Sequence, residues 1–161
     1  MADLVRMSVR DQLGAADPAV SGRGATVRLL DPAAQFYVTD STSANTVRGD
    51  DPYSLWLAPD RCLLVSEHAR PPTEGFASDV TDGLALFEIA GPRAGEIISA
   101  SCTLDPAGPD LAPGRCAQTM FGGVRVVLYA HGSDGRFRLH VERQLAAFLL
   151  EWLRQAASAL G

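Results

Sequence analysis

The chain has 161 residues, of which 47% are hydrophobic, and a formal net charge of -5; this composition suits a folded domain rather than a disordered chain. The mildly acidic balance, without a basic run, argues against nucleic acid or an anionic membrane surface as a partner. No apolar run approaches the roughly 20 residues needed to span a bilayer, and the first residues lack the apolar stretch of a secretory signal.

The cysteines and histidines indicate neither a disulfide framework nor a metal site. The cysteine count is odd and the spacings are long, at Cys62, Cys102 and Cys116. Such usage is typical of a reducing compartment, so we predict a cytoplasmic protein without disulfides. No metal-ligand spacing joins the histidines His68, His131 and His140, and we predict no metal in this chain.

The first half of the chain predicts an arm followed by short strands. Residues 1–25 are rich in Gly, Ala, Ser and charge, and we interpret them as an N-terminal arm or a short helix. The elements predicted next are strands at 26–30 and 34–38, a loop over 39–51, a hairpin with strands at 54–57 and 62–66, and a Pro-rich break at 69–75.

The second half predicts a buried strand, a helix and a strand meander. The strand at 84–89 is apolar on both faces except for Glu88, which predicts cover on both sides. Proline in the first turn and one apolar face indicate a helix at 92–100. The remaining predicted elements are a loop over 104–114, strands at 115–121, 124–129 and 136–142, and a C-terminal helix.

Two of these elements carry a clear periodicity. In the strand at 136–142 every second residue is apolar, which predicts one face in the core and one in water. The residues assigned to the water face are Arg136, Arg138, His140 and Glu142. The C-terminal helix has an i, i+3, i+4, i+7 pattern, with an apolar face of Leu145, Phe148, Leu149, Trp152, Leu153 and Ala156.

The sequence therefore predicts an α+β fold of mainly antiparallel sheets with helices packed on one face. We divide the chain into an N-terminal arm over 1–25 and a single domain over 26–161. The domain is alternatively read as two small halves sharing a core, at about 26–76 and 77–161.

Two carboxylates, Asp79 and Asp82, lie close together in the segment DVTDG before the buried strand. A pair of this kind suits acid–base work if one pKa is raised. The favoured alternative is turn chemistry, in which the side chains accept hydrogen bonds from nearby backbone N–H groups.

Arg93 and the two tryptophans are the remaining candidates for contact with another molecule. Arg93 lies in the first turn of a helix, where the dipole disfavours a cation, so an external anionic partner is one explanation and a water-facing side chain is the other. Trp152 belongs to the helix stripe and is expected in the core. Trp56 sits between Leu55 and Leu57, so something outside its own sheet must cover one face, either the rest of the fold or another chain.

Four segments together resemble the gamma subunit of heterotetrameric sarcosine oxidase, in the order that family has them. These segments are LWLAPDRCLLVSE (55–67), DVTDGLALFEIAGPRAGEIIS (79–99), PGRCAQTMFGGVRVVLYA (113–130) and GRFRLHVERQLAAFLLEWL (135–153).

The resemblance implies a short relative of the folate-binding glycine-cleavage T-protein superfamily. It implies a holoenzyme that oxidatively demethylates sarcosine, or another N-methyl amino acid, to glycine and yields hydrogen peroxide. In the family FAD, FMN, NAD, tetrahydrofolate and zinc belong to the alpha, beta and delta subunits, so this chain is expected to bind none of them and to carry no catalytic residue. Asp79 is the position compared with the acidic folate-site residue of the T-protein, as a vestige of that site.

The sequence thus supports three functions in decreasing order. The first is a non-catalytic accessory subunit of a sarcosine oxidase-type complex, with Trp56, Arg93 and the N-terminal arm as candidate contacts. The second is a free-standing folate or small-ligand binding module, which requires a concave pocket with converging polar groups and perturbed carboxylates. The third is an independent aminomethyltransferase-like enzyme, which requires a positioned general acid or base that the sequence does not reveal.

Overall fold

The structure is a computed structural model that describes residues 7–71 and 75–161. Its helices are α1 (Val9–Leu13), α2 (Ala94–Ser101) and α3 (Ala146–Ser158). Its strands are β1 (Val20–Gly22), β2 (Ala25–Leu30), β3 (Ala34–Val38), β4 (Val47–Arg48), β5 (Tyr53–Ala58), β6 (Arg61–Ser66), β7 (Ala77–Asp79), β8 (Leu84–Ala90), β9 (Cys116–Phe121), β10 (Val124–His131) and β11 (Arg136–Glu142).

The strands form two antiparallel sheets. The six-stranded sheet has the order β1-β2-β8-β11-β10-β9, and the five-stranded sheet has the order β4-β5-β6-β3-β7. Every pairing between the named strands is antiparallel. The predicted α+β class with mainly antiparallel sheets is therefore confirmed.

Neither sheet is formed by one continuous stretch of the sequence. Strand β2 lies early in the sequence but pairs with β8, whereas β7 lies after the Pro-rich break but pairs with β3. The consecutive segments 26–76 and 77–161 therefore do not correspond to the two sheets. The six-stranded sheet includes β2 from the first segment, and the five-stranded sheet includes β7 from the second.

The six-stranded sheet is covered on both faces. One face carries Phe87, Leu139 and Leu128, which are fully buried in a cluster with residues of α2 and α3. The opposite face lies against the five-stranded sheet, where a second apolar cluster includes Tyr53, Leu63, Leu84 and Tyr129. The fold is thus a helix layer, a six-stranded layer and a five-stranded layer, and the predicted cover on both sides of β8 is confirmed.

Helix α3 buries a slightly different stripe from the predicted one. The buried residues are Ala146, Leu149, Leu150, Leu153 and Ala157. Phe148, placed on the apolar face by periodicity, is 51% exposed. The stripe facing the sheet is shifted toward Ala146 and Leu150, so Trp152 lies at its margin and is half-buried.

The hairpin between β9 and β10 explains the position of Trp152. Its turn consists of Gly122 and Gly123, both with positive φ, which the predicted two-residue turn requires. A Cβ on Gly122 would lie 2.8 Å from the Trp152 ring, so the absence of a side chain lets the indole pack over the turn. The Trp152 Nε1 donates to the Ser101 hydroxyl at 3.0 Å and so ties α3 to the end of α2.

The described part of the predicted arm packs against the domain. Helix α1 begins with a capping box in which Ser8 and Asp11 satisfy each other's backbone N–H groups. Val9 is buried in the main apolar cluster, and the Arg10 guanidinium donates to the Leu29 carbonyl of β2. Residues 1–6 of the predicted arm lie outside the described part of the chain.

The short strands β4 and β7 lie in segments predicted as loop or left unassigned. Within the described residues, no helix is long and apolar enough to cross a membrane.

Candidate functional site

Trp56 lies in β5 in register with Cys62 of β6 and packs against the second apolar cluster. Its side chain is partly buried, and its Nε1 is covered but has no hydrogen-bond acceptor among the described residues. Leu55, its neighbour, is fully buried on the inner face. The rest of the fold thus covers Leu55, and the role of Trp56 as a subunit contact stays a prediction.

Asp79 is a turn residue at the end of the edge strand β7. Its Oδ1 accepts from the Thr81 hydroxyl at 2.5 Å and from the Thr81 backbone N–H at 2.9 Å, while Oδ2 pairs with Arg70. The Thr81 hydroxyl, the Thr81 N–H and Arg70 outweigh partial burial and lower the pKa of Asp79 to about 2. This is the turn chemistry that the sequence favoured, and a carboxyl held ionised in this way is unsuited to act as a general acid.

The Arg93 side chain contacts other residues of the same chain. Its guanidinium makes a two-pronged contact with Glu96, with Nε to Oε1 at 2.7 Å and a terminal nitrogen to Oε2 at 2.8 Å. The other terminal nitrogen donates to the carbonyl of Leu160, just beyond the end of α3. Arg93 thus has an acceptor just beyond the C-terminal end of α3, where the helix dipole favours a cation. It has this acceptor although it lies at the start of α2, where the dipole disfavours one.

The three cysteines are free and do not form a reactive site. Burial raises the pKa of the Cys116 thiol to about 11, which keeps it protonated. Among the described residues, no group of three His, Cys, Asp or Glu side chains is placed to hold a metal ion.

A buried polar network between the two sheets is the feature that periodicity missed. It runs across the inner face of the six-stranded sheet, where Glu88, Arg138 and Tyr129 lie side by side in adjacent strands. Arg138 and His140, predicted to face water, are only 4% and 2% exposed. That prediction was wrong because the five-stranded sheet covers the polar face of β11. The available signal was Glu88, the one charge in an otherwise apolar strand.

One end of the network is an ion-pair cluster centred on Arg138. Its Nε donates to Glu88 at 2.9 Å, and a terminal nitrogen donates to Glu67 at 2.6 Å. Burial disfavours a charge here, but these carboxylates raise the pKa of Arg138 further and keep it ionised. Partial burial likewise opposes ionisation of Glu67, yet Arg138 outweighs it and lowers the pKa of that carboxyl.

The other end is a chain of hydrogen bonds through the interior. The hydroxyls of Tyr53 and Tyr129 lie 2.6 Å apart, and the Tyr129 hydroxyl lies 3.0 Å from His140 Nε2. On its far side, His140 Nδ1 lies 2.7 Å from the Oε1 atom of Gln35, and the Gln35 amide nitrogen donates to the Leu84 carbonyl at 3.3 Å. A long contact of 3.5 Å joins Arg138 to the Tyr53 hydroxyl and connects the two ends.

The groups at the two ends of this series of hydrogen bonds determine which atom donates and which accepts in each bond. Since Gln35 uses its amide nitrogen on the Leu84 carbonyl, its oxygen accepts and His140 Nδ1 must donate. Burial, aided by the charge of Arg138, lowers the pKa of His140 to about 3, so the ring is neutral and Nε2 accepts from Tyr129. Tyr53 then donates to Tyr129 and accepts from Arg138.

The groups of this network all have hydrogen-bond partners, which limits the chemistry that they can perform. Both nitrogens of His140 are occupied, and burial raises the pKa of Tyr53 and Tyr129, so the phenols stay protonated. A general base needs a free lone pair directed at a substrate, which His140 does not have in this arrangement. A fully satisfied network of this kind instead holds the two sheets in one alignment.

Beside the network lies a cleft of about 290 Å³ between the β5–β6 hairpin and strands β10 and β11. We call it the hairpin cleft. Its walls are mainly apolar and its rim carries two cations and one anion. The principal lining residues are Tyr37, Leu57, Leu63, Leu84, Val127 and His140, with Arg61, Arg125 and Glu142 at the rim.

Comparison with known proteins gives a clear result only for the fold. No protein-family model matches the chain, and no curated protein matches it. Among solved structures, the chain is similar to a chain of a heterotetrameric sarcosine oxidase from Corynebacterium sp. U-96 in complex with pyrrole 2-carboxylate. The TM-score is 0.78 at 21% identity, and the match covers 95% of each chain. The two chains share a fold.

The match reaches the same enzyme as the sequence resemblance and nearly spans both chains. At this identity the shared property is the fold. The heterotetrameric assembly and the bound pyrrole 2-carboxylate are properties of that protein.

Proposed function

We propose that this chain is a non-catalytic accessory subunit, of the gamma type, in a heterotetrameric sarcosine oxidase-type flavoenzyme. The observation that carries the proposal is the fold match over 95% of both chains to a protein from such a heterotetramer. The expected reaction of the complex is oxidative demethylation of sarcosine or a related N-methyl amino acid.

The engagement of the chain's own polar groups supports a non-catalytic role. His140 is neutral and uses both ring nitrogens, Asp79 is held ionised in a turn, and the Cys116 thiol is buried and protonated. Each candidate acid, base or nucleophile named from the sequence or the interior thus has a structural partner. Their arrangement serves packing rather than proton transfer.

The proposal assigns the cofactors to partner chains. FAD, FMN, NAD, tetrahydrofolate and zinc are expected in alpha, beta and delta subunits, and none of them in this chain. The T-protein-like relationship, the cytoplasmic location and a vestigial folate position at Asp79 belong to the same proposal.

The test is co-expression of the tagged chain with the products of its neighbouring genes, followed by affinity capture and an absorbance spectrum. The expected result is recovery of larger subunits in fixed ratio, with the absorbance bands of bound flavin. An unrelated protein carrying the same tag is the control for unspecific capture. Recovery of the folded chain alone and without colour would overturn the proposal.

A free-standing small-ligand module is the second candidate, favoured by one observation. The hairpin cleft is concave and several polar side chains line it, as that function favours. The carboxylate with the strongly lowered pKa, Asp79, lies outside this cleft, in the turn after β7.

A further inference from the structure

The arginines at the hairpin cleft differ from most other arginines because they make no ion pair with the described residues. Thirteen arginines lie in the described residues, and ten of them contact a carboxylate or a backbone carbonyl there. The three without such an acceptor among the described residues are Arg48, Arg61 and Arg125. Two of these three line the same cleft.

This concentration is unexpected in an acidic protein. The whole chain has a formal net charge of -5, so carboxylates are in excess over cations. At the cleft the balance is reversed: Arg61 and Arg125 contribute two positive charges and Glu142 one negative charge, which leaves +1. A site with this balance is complementary to a single negative charge.

The three charged side chains line the same cleft as Tyr37. Tyr37, which is half-buried in its wall, has a raised pKa because of burial and because of the nearby Glu142 carboxylate, and Arg61 acts in the opposite direction. The phenol is therefore within electrostatic reach of Glu142 and Arg61 at the rim. Below them the walls are formed by Leu57, Leu63 and Val127 and accept an apolar body rather than a hydrated ion.

We propose that the hairpin cleft binds a small organic monocarboxylate with an apolar body. The carboxylate contacts the guanidinium groups of Arg61 and Arg125, which are the side chains best suited to paired hydrogen bonds with such a group. The apolar body lies against the leucine and valine side chains. A volume of about 290 Å³ is near the lower end of small-molecule sites, roughly 300–1,000 Å³, and limits the ligand to a compact acid.

This site is independent of the accessory-subunit proposal, because it needs only the folded chain. It also differs from the buried network, with which it shares Leu84 and His140.

The test is titration of the purified full chain with benzoate, followed by calorimetry and by NMR shifts of the wall methyl groups. Benzamide, which has the same body without the charge, is the matched ligand. We expect saturable benzoate binding and much weaker benzamide binding. The double variant R61Q/R125Q should weaken benzoate binding by about tenfold or more, since charge-assisted hydrogen bonds are lost.

Arg48→Gln is the matched control, because Arg48 is also exposed and has no acceptor among the described residues, but lies away from the cleft. It should change benzoate binding by roughly twofold at most. Thermal unfolding of all variants should match that of the parent chain, because the substituted side chains are exposed and make no ion pair among the described residues.

Three results would overturn the assignment: no saturation by benzoate at millimolar concentration, equal binding of benzamide, or unchanged binding to R61Q/R125Q. A further outcome is loss of co-purified subunits from R61Q/R125Q while the free chain fails to bind benzoate. That outcome would also overturn it and would assign the two arginines to a subunit interface. Failure of co-purification by the parent chain would affect only the proposed function.

Discussion

The protonation of His140 is strongly coupled to folding. In the unfolded chain a histidine has a pKa near 6.5, whereas burial holds the folded pKa at about 3. A lowered histidine pKa means that the unfolded state binds the proton first. Stability contributed by the neutral ring is therefore present above pH 6.5 and is lost as the pH falls toward 3.

We predict that the proton bound by His140 in the unfolded state lowers the free energy of unfolding by about 1.4 kcal/mol for each pH unit below 6.5. The measurement is urea denaturation at pH 7.5, 6.0 and 5.0, for the parent chain and for His140→Gln. The variant should be less stable at pH 7.5 but should show a shallower decline. An equal decline in both proteins would show that His140 is not the neutral residue described here.

Other groups contribute little to that comparison within this pH window. The carboxyls with lowered pKa values, including Asp79 and Glu67, lose their stabilising effect at lower pH. His131 acts in the same direction as His140 because burial lowers its pKa. His68 acts oppositely, because its hydrogen bond with Asp51 raises its pKa. All of them are present in both proteins and cancel in the difference.

The pair of Arg138 and Glu88 gives a second prediction at the scale of residues. Arg138→Met leaves a buried carboxylate without its partner and should cost about 3–5 kcal/mol. The double variant R138M/E88M removes both charges and should recover part of that loss, although Glu67 also loses a partner. Chemical denaturation of the parent, both single variants and the double variant measures the coupling. A cost below about 1 kcal/mol for R138M, the value of an exposed pair, would contradict the buried geometry.

At the scale of elements, the β9–β10 hairpin has two glycines with different roles. Gly122 has φ of +58° and contacts the Trp152 ring, whereas Gly123 has φ of +91° and faces open space. Gly122→Ala should therefore destabilise by about 2 kcal/mol or more, from backbone strain together with displacement of the indole. Gly123→Ala should cost only the backbone part, about 1 kcal/mol.

Each variant is the control for the other, because both carry a Gly→Ala substitution in the same turn. Thermal unfolding and near-ultraviolet circular dichroism of the tryptophans are the measurements. Equal destabilisation, with an unchanged tryptophan signal in Gly122→Ala, would show that α3 does not pack over this turn.

The sequence predicted the long elements because their signals are local. Alternating apolar residues and paired glycines are enough to place β9, β10 and β11, and the structure has these strands within two residues of their predicted ends. Strands β4 and β7 are only two and three residues long. They depend on distant partners, as where the Val47 N–H donates to the Gly114 carbonyl at 2.8 Å, and no local pattern marks them.

The polar network could not be predicted for a related reason. Alternation in β11 gives the two faces of the strand but does not say what covers the second face. Burial of Arg138 and His140 follows from the position of the five-stranded sheet, which is set by tertiary packing. The hairpin cleft is likewise formed by residues from distant segments, so Arg61 and Arg125 were not singled out.

At the scale of the whole molecule, the helix layer and the two sheets pack into one fold. Its two sheets have no strand in common, and a network saturated with hydrogen bonds joins them. The candidate acid–base groups Asp79 and His140 have internal partners. Large apolar side chains remain exposed at several places, including Phe76 at 76%, Met120 at 56% and Phe148 at 51%. Exposed apolar side chains of this size are compatible with contacts to further chains.

Native mass spectrometry of the complex captured with this chain tests the central claim most directly. The account predicts one assembly that contains a single copy of this chain with three different partners, and bound flavin released on denaturation. A mass equal to the chain alone, or to copies of itself only, would contradict the claim that this protein is a subunit of a heterotetrameric flavoenzyme.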